Sequence, residues 1–366
     1  MNKEFQYLVE IFKWYIYNNQ ENIVRPEYMD PNHFIRYIVK NRAMRLIENF
    51  FNKTNLEIPD ELNNQINKKR TIIIQKQFEH TSELVRISEI FNRNSIDFVI
   101  LKGTVLGKLI YNDFSYRDSL DCDILIRESD VEETVKLLQD NYYEILTKEY
   151  FEGNLGWKLF KDLYKHCVLK NKQNNIIVEL HWDLTKRYIQ KKGLNSYLKN
   201  SRKIMLNQYL FPVLSNEDNF EYLCMHGIIH RYSRITWLLE IALFTQKMNI
   251  DWKEVFKMSY IHDTFRYIKL TLVLIKEIFG LDMNTPFEDK LNRRERLLLA
   301  ECKRNMTTIA IPDTSLFWNR IRQGFYFFRL DSFIILRTGL YRWLFKFMIY
   351  YLVKLRITFK SKLIFV

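Results

Sequence analysis

The chain has 366 residues, 47% apolar and 15% aromatic, which excludes a disordered protein and leaves room for two or three packed units. The formal charge of +13 favours anionic partners (nucleotides, nucleic acid or an acidic membrane surface) and equally fits a soluble protein of Lys-, Ile- and Asn-rich composition. The four cysteines, Cys122, Cys167, Cys224 and Cys302, form no CxxC pair, which argues against a disulfide framework and a cysteine zinc site and for a reducing cytoplasm.

The chain opens MNKEFQYLVEIFKWYIYNN. Glu4, Glu10 and Lys13 interrupt the apolar run, so this segment is not expected to act as a secretion signal. No uncharged stretch approaches the roughly 20 residues of a membrane span. Apolar spacing predicts helices over 3–18, 33–52 and 68–93, with the polar stretch 53–66 as a separator. This makes 1–93 an N-terminal helical region.

The texture then changes. Asp97 to Leu101 reads as a buried strand ending at Lys102-Gly103, and 104–111 resumes helical spacing. Leu120 to Ile126 reads as a second strand, and Ser129 and Asp130 as caps of a helix over 130–140. His166–Leu169 and Ile176–Trp182, joined by a polar loop, read as a hairpin. We take 94–210 as an α+β core around a mixed sheet and 211–366 as a C-terminal helical region. Its expected helices are 216–231, 234–248, 252–259, 262–279, 292–305, 315–330 and 338–359.

The most informative segment is Arg117-Asp-Ser-Leu-Asp-Cys-Asp-Ile-Leu-Ile126. Alternate side chains of a strand share a face, so Asp121 and Asp123 stand side by side and repel unless a cation lies between them. Carboxylate oxygens suit Mg²⁺. An exposed strand end with two solvated acids has the same spelling, so the context matters. Lys102, Gly103 and Thr104 lie where a strand feeds a helix N-terminus, whose free N–H groups suit phosphate. Glu179 and His181 alternate onto one face of an apolar strand, where a carboxylate is costly unless paired or metal-bound.

Together these residues resemble the DNA polymerase β-like nucleotidyltransferase superfamily, and more closely a bacterial branch, the uncharacterised nucleotidyltransferases. The resemblance rests on Leu101-Lys-Gly103, Tyr111, Arg117, Asp121-Cys-Asp123, His166 and Glu179-Leu-His-Trp182, and more faintly on Leu223-Cys-Met-His226, His230, Arg234 and Trp237-Leu-Leu-Glu-Ile241. It is strong over 96–182 and weak to about 245. Two departures stand out: the branch more often has Asp where this chain has Glu240, and Lys102-Gly103 replaces the wider superfamily's Gly-Ser or Gly-Gly.

The resemblance implies a nucleotidyltransferase-fold core and transfer of an NMP group from an NTP to an acceptor hydroxyl or phosphate. That acceptor would be a small molecule, sugar, peptide or carrier, in a polysaccharide or natural-product setting. Asp121, Asp123 and Glu179 would hold Mg²⁺ or Mn²⁺, with Glu179 ligating a second ion or taking the acceptor's proton. Lys102, Gly103, Thr104 and Arg117 would contact phosphate, although Arg117 can instead pair with Asp118 or Asp121. His166, His181, His226 and His230 stand as acceptor-side or supporting groups. His226 and His230 share a helix face but lack the HExxH glutamate, so packing or lining the cleft is the better reading than zinc. Two other functions stay open: a non-catalytic nucleotide- or partner-binding module, and a toxin-like modifier of tRNA or protein.

Residues 341–366 mix aromatics, aliphatics and Lys/Arg without an acid. They fit a helix packed on the domain or peripheral contact with an anionic membrane. No DNA- or RNA-specific motif accompanies the charge. The expected location is the cytoplasm, with membrane association as the alternative.

Overall fold

In the computed structural model, the Asn2 side chain accepts the Glu4 and Phe5 amides and starts α1 (Lys3–Ile16). The structure describes residues 2–18, 29–54, 56–147, 164–184 and 194–309, with isolated positions such as Trp157, Phe160, Lys161 and Met348 besides. The helices expected at 315–330 and 338–359, and the tail 341–366, lie outside the described residues apart from Met348.

Asp30 caps α2 (Pro31–Lys40), with Pro31 in the first turn, where a missing N–H costs nothing. The pattern over 33–52, expected as one helix, is two. Asn41 donates its Nδ2 to the Tyr37 carbonyl at 2.8 Å, Arg42 adopts a left-handed φ of 51°, and the chain resumes as α3 (Met44–Lys53). The long helix α4 (Asp60–Arg93) starts earlier than expected. Asp60 and Glu61 complement its N-terminal dipole, and Leu62 and Ile66 are buried despite the polar run around them.

The middle of the chain supplies β1 (Phe98–Ile100), α5 (Thr104–Tyr111), β2 (Asp121–Ile126), α6 (Val131–Asp140), β3 (Tyr143–Ile145), β4 (His166–Asn171), β5 (Ile177–His181), α7 (Leu194–Lys199), β6 (Arg202–Leu206) and β7 (Tyr209–Val213). They form a seven-stranded mixed sheet in the order β3-β4-β5-β2-β1-β7-β6. The central strands β2 and β5 run parallel, and β1 is antiparallel to β2 and parallel to β7. Strands β3, β6 and β7 were not expected from the sequence. They are short, β6 and β7 are partly exposed, and Pro212 in β7 reads as a strand breaker.

The remaining helices are α8 (Asn216–Ile229), α9 (Ile235–Lys247), α10 (Trp252–Ile261), α11 (Phe265–Phe279) and α12 (Arg293–Thr307), close to expectation. The fold is α+β: a mixed sheet embedded in a mainly helical protein.

Helix α4 covers one face of the sheet, packing Leu84, Ile87 and Phe91 with Cys122, Ile124 and Val178. On the opposite face Val99 and Leu125 pack with Leu214 and Tyr222 of α8. The helices before and after the sheet share a single hydrophobic core, Phe5, Phe12 and Phe50 lying in one cluster with Leu239, Phe244 and Leu274. Each fully buried side chain of this kind contributes about 1.5–3 kcal/mol. Polar ties cross the same seam, Tyr17 Oη donating to the Phe279 carbonyl at 2.9 Å and Tyr37 Oη to that of Thr307 at 2.7 Å. No helix among the described residues is long and apolar enough to cross a membrane.

Candidate active site

The face of the sheet turned towards α8 carries the acids. Asp123 on β2 is the register partner of Glu179 on β5, and Asp121 lies two residues back along β2 on the same face. Ligand oxygens of Asp121, Asp123 and Glu179 all lie within 4.8 Å of one another. Asp123 is 1% exposed, whereas Asp121 and Glu179 are half-buried and open to a cleft. His181, one step further along β5, places Nε2 3.1 Å from Asp123 and 3.3 Å from Glu179. His166, the register partner of His181 on β4, brings its ring centroid to 4.9 Å, so that His166, Glu179 and His181 form a second group with metal-ligand spacing.

Lys102 reaches the acids from the end of β1. The Leu101 amide donates to the Asp123 carbonyl at 3.1 Å, extending the β1–β2 ladder and holding the next residue beside the site. Lys102 Nζ stands 2.5 Å from Asp123 and 3.8 Å from Asp121. Gly103 then turns the chain with φ 76° and caps α5 without a side-chain hydrogen bond. Only glycine takes that backbone readily, and the missing Cβ faces the Asp121 carbonyl at 3.7 Å. Thr104 is buried in the first turn of α5, and its hydroxyl has no hydrogen-bond partner.

Arg117 lies across the cleft floor and pairs with Glu240 of α9 at 3.0 Å while donating to Ser119 Oγ at 2.6 Å. It meets neither Asp118 nor Asp121 as an ion-pair partner among the described residues. Gly107 of α5 lets this turn approach, since a Cβ there would meet the Arg117 Cβ at 2.9 Å. Gln77 of α4 holds the Ser119 backbone from both sides, donating to its carbonyl at 3.1 Å and accepting its amide at 3.2 Å.

Helices α8 and α9 roof a cleft of about 450 Å³ above the acids. The rings of His226 and His230 lie 4.7 Å apart, tilted by 50°, and rest against Trp237 at 5.0 and 5.5 Å. Both therefore line the cleft as ring surfaces, and among the described residues neither belongs to a group with metal-ligand spacing.

The charges on this floor depend on one another. Burial works to raise the Asp123 carboxyl, but Lys102 and the His181 hydrogen bond hold it below its ordinary value. Glu179 shows the same contest, burial against His181, and is held low. Burial opposes charge on Lys102, yet Asp123 and Asp121 raise it, so the lysine stays protonated. Burial and then His181 push His166 down to about 3, which leaves it neutral. Three carboxylates at this spacing offer hard oxygen ligands to a divalent cation, and Lys102 and His181 supply part of the compensating charge.

A family model described as uncharacterised nucleotidyltransferase matches residues 28–280. The chain belongs to that family. Searches of curated proteins and of solved structures returned no match. The family span contains every cleft residue named above, from the β1 end through Glu240, and stops within the break after α11. Membership makes the protein a nucleotidyltransferase in the general sense, with a nucleoside triphosphate as substrate. Divalent metals serve such enzymes generally, and the Asp/Glu/His groups of this cleft could hold one.

Sequence reasoning missed Arg42, Lys165 and Tyr222, all of which line the cleft. Arg42 was hidden because the apolar helical spacing of 33–52 continues across the break that carries it. Tyr222 gave no signal, because an apolar-faced helix spells its cleft wall and its core wall alike.

Proposed function

We propose that the protein transfers an NMP group from an NTP to an acceptor hydroxyl or phosphate in the cytoplasm, with Asp121, Asp123 and Glu179 holding Mg²⁺ or Mn²⁺. The convergence of these carboxylates from two parallel neighbouring strands, with Lys102 paired to Asp121 and Asp123, carries the reading. The donor set fits the ion: oxygen ligands, two of them facing the cleft and the third fixed at its floor. When bound, the cation would neutralise triphosphate charge and orient the α-phosphate for in-line attack.

The chain's own residues do the rest. His181 fixes Asp123 and Glu179 relative to each other. Lys102 offers a permanent positive charge beside them. The open turn at Gly103 brings the first amides of α5 close to β2, where phosphate oxygens would lie. An acceptor oxygen attacks the α-phosphorus, a hydroxyl acceptor giving up its proton to solvent; the bond to the bridging oxygen breaks, and pyrophosphate leaves with the electron pair. Trp237, His226 and His230 form an aromatic wall for the acceptor or the base.

The test is calorimetric titration with each NTP, with and without Mg²⁺, on wild type and on Asp121→Ala/Asp123→Ala, followed by a pyrophosphate-release assay. Metal-dependent binding of one NTP that disappears in the double variant is the expected result. Failure of every NTP to bind wild-type protein defeats the reading.

A further inference from the structure

The wall facing the acids carries positive charge that the carboxylate floor does not use. Lys102 is matched by Asp121 and Asp123, and Arg117 by Glu240. Arg42 and Arg234 also line the cleft. Among the described residues no carboxylate lies within ion-pair distance of either guanidinium. Arg42 has one long hydrogen bond, to the Asp118 backbone carbonyl at 3.5 Å. Arg234 lies over the Trp237 ring at 5.1 Å, which orients its planar group without cancelling its charge.

The two arginines lie 192 residues apart in the chain, and a buried staple brings their segments together. Asn41 is fully buried. Its Oδ1 accepts the Ile235 amide at 2.8 Å, and its carbonyl accepts the Thr236 hydroxyl at 2.9 Å. The residue after Asn41 is Arg42, and the residue before Ile235 is Arg234. The α2–α3 turn is thus bonded to the N-terminus of α9 at the positions that carry the arginines. The left-handed backbone of Arg42 belongs to the same turn. Burial first, and then Arg42 and Arg117, pull Arg234 down to about 10, as expected for like charges held close in a half-buried place. Asp121 and Glu240 act on both guanidiniums only from beyond ion-pair distance, so a fold that fastens the two at one cleft wall leaves much of their charge for a ligand.

We propose that Arg42 and Arg234 form a phosphate clamp in the cleft they share with the carboxylates, each guanidinium taking two phosphoryl oxygens of one bound substrate. The inference rests on the reading of the cleft as a nucleotidyl-transfer site. The phosphate belongs either to the donor's triphosphate tail or to a phosphorylated acceptor, and the two sources separate experimentally.

Inorganic tripolyphosphate with Mg²⁺ stands in for the tail whatever the base, and orthophosphate for a phosphorylated acceptor. Both are titrated calorimetrically into full-length wild type, Arg42→Gln and Arg234→Gln, orthophosphate with and without saturating tripolyphosphate. Each substitution is expected to weaken one probe about tenfold or more, the loss of a charge-assisted hydrogen-bonded pair. Weaker tripolyphosphate binding assigns the clamp to the donor's tail. Weaker orthophosphate binding to tripolyphosphate-saturated protein assigns it to the acceptor. Melting without anion adds a readout that a structural role would not give. The glutamine variants should melt at or above the wild-type temperature, because removing an unpaired cation relieves repulsion. If either does not fold, the lysine variant at the same position, Arg42→Lys or Arg234→Lys, which keeps the charge and loses the planar fork, replaces it. Equal binding by wild type and variants, or no binding of either probe to wild type, overturns the clamp. Metal-dependent NTP binding by wild type, with both probes bound equally by wild type and the arginine variants, removes the clamp and leaves nucleotidyl transfer standing. Arginine-dependent binding of tripolyphosphate without NTP turnover does the reverse.

Discussion

Glu83 and Asp123 are both carboxylates at 2% exposure or less, set on opposite sides of β2. Glu83, on α4, meets mostly neutral donors. Tyr143 Oη donates to it, as do Asn171 Nδ2 and Asn174 Nδ2, each at 2.8 Å, and Arg86 adds a looser contact at 3.5 Å. Asp123, on β2, meets Lys102, His181 and two further acids. The side chain and burial are nearly the same, but the partners differ in kind. Glu83 fastens the β4–β5 loop and β3 to α4, and its bonds are local and directional. Asp123 sits among charges that balance only as a set, so replacing one of them with a metal or phosphate rearranges the others. Burial alone does not mark a functional carboxylate; the kind of partner does.

The largest effect should come from breaking the charged side. Asp123→Asn is expected to cut pyrophosphate release by about 10²–10⁴-fold, the loss of several kcal/mol of charge stabilisation in the transition state. Its far-ultraviolet circular dichroism should stay native, because Lys102 keeps Asp121 at 3.8 Å. An inactive variant that has simply unfolded would erase the contrast with Glu83.

Breaking the neutral side should do the opposite. Glu83→Ala strands a tyrosine, two asparagines and an arginine around a buried gap, and should cost about 3 kcal/mol in urea unfolding. NTP affinity of the protein that remains folded should match wild type. A large fall in affinity would show that the two sides of β2 are coupled.

Asn41→Ala sharpens the comparison, because Asn41 is a neutral side chain that serves the charged site. Its loss should cost about 1–2 kcal/mol of stability. Tripolyphosphate or orthophosphate affinity should fall in the same sense as in the arginine variants. Stability loss without any change in anion binding would make the staple purely structural.

How far the sequence foretold this arrangement depends on the scale of the signal. Strand alternation made Asp121 and Asp123 legible as one same-face pair and Glu179 and His181 as another; that the two pairs meet comes from the register of β2 on β5, which no local pattern spells. The Lys102-Gly103 turn was legible because glycine at a strand-to-helix junction has few other uses. The Arg117–Glu240 pair was not, since it joins α9 to a turn far earlier in the chain and nothing local specifies it. The break at Asn41 was hidden by an apolar pattern that continues across it, and with it Arg42. Strands β6 and β7 were hidden by partial exposure, since their alternation is weak where both faces meet water or loops.

The smallest expected effect is a pH slope. Burial, and then Arg234, brings Lys40 from its ordinary 10.5 to about 8. The unfolded chain therefore holds more protons than the folded one between about pH 8 and 10.5, so this lysine makes stability rise with pH across that window. Lys40→Met cannot titrate and should lose that part of the rise. Urea midpoints of both proteins at pH 8 and pH 10 check the sign.

The core shared by the first and last helices also governs how the protein is born. Tyr17 finds its partner carbonyl 262 residues later, at Phe279, and Tyr37 waits 270 residues for Thr307. At about 5–20 residues per second, a ribosome takes roughly 10–50 s to deliver those partners. Throughout that interval Phe5, Phe12 and Phe50 have only their neighbours in α1 to α3, such as Tyr37 and Trp14, and lack the cover of the last helices, while the sheet between can already assemble. Synthesis therefore passes through a stage in which a finished middle carries a sticky leading end, and ribosome-associated chaperones should engage the first fifty residues longer than any later segment.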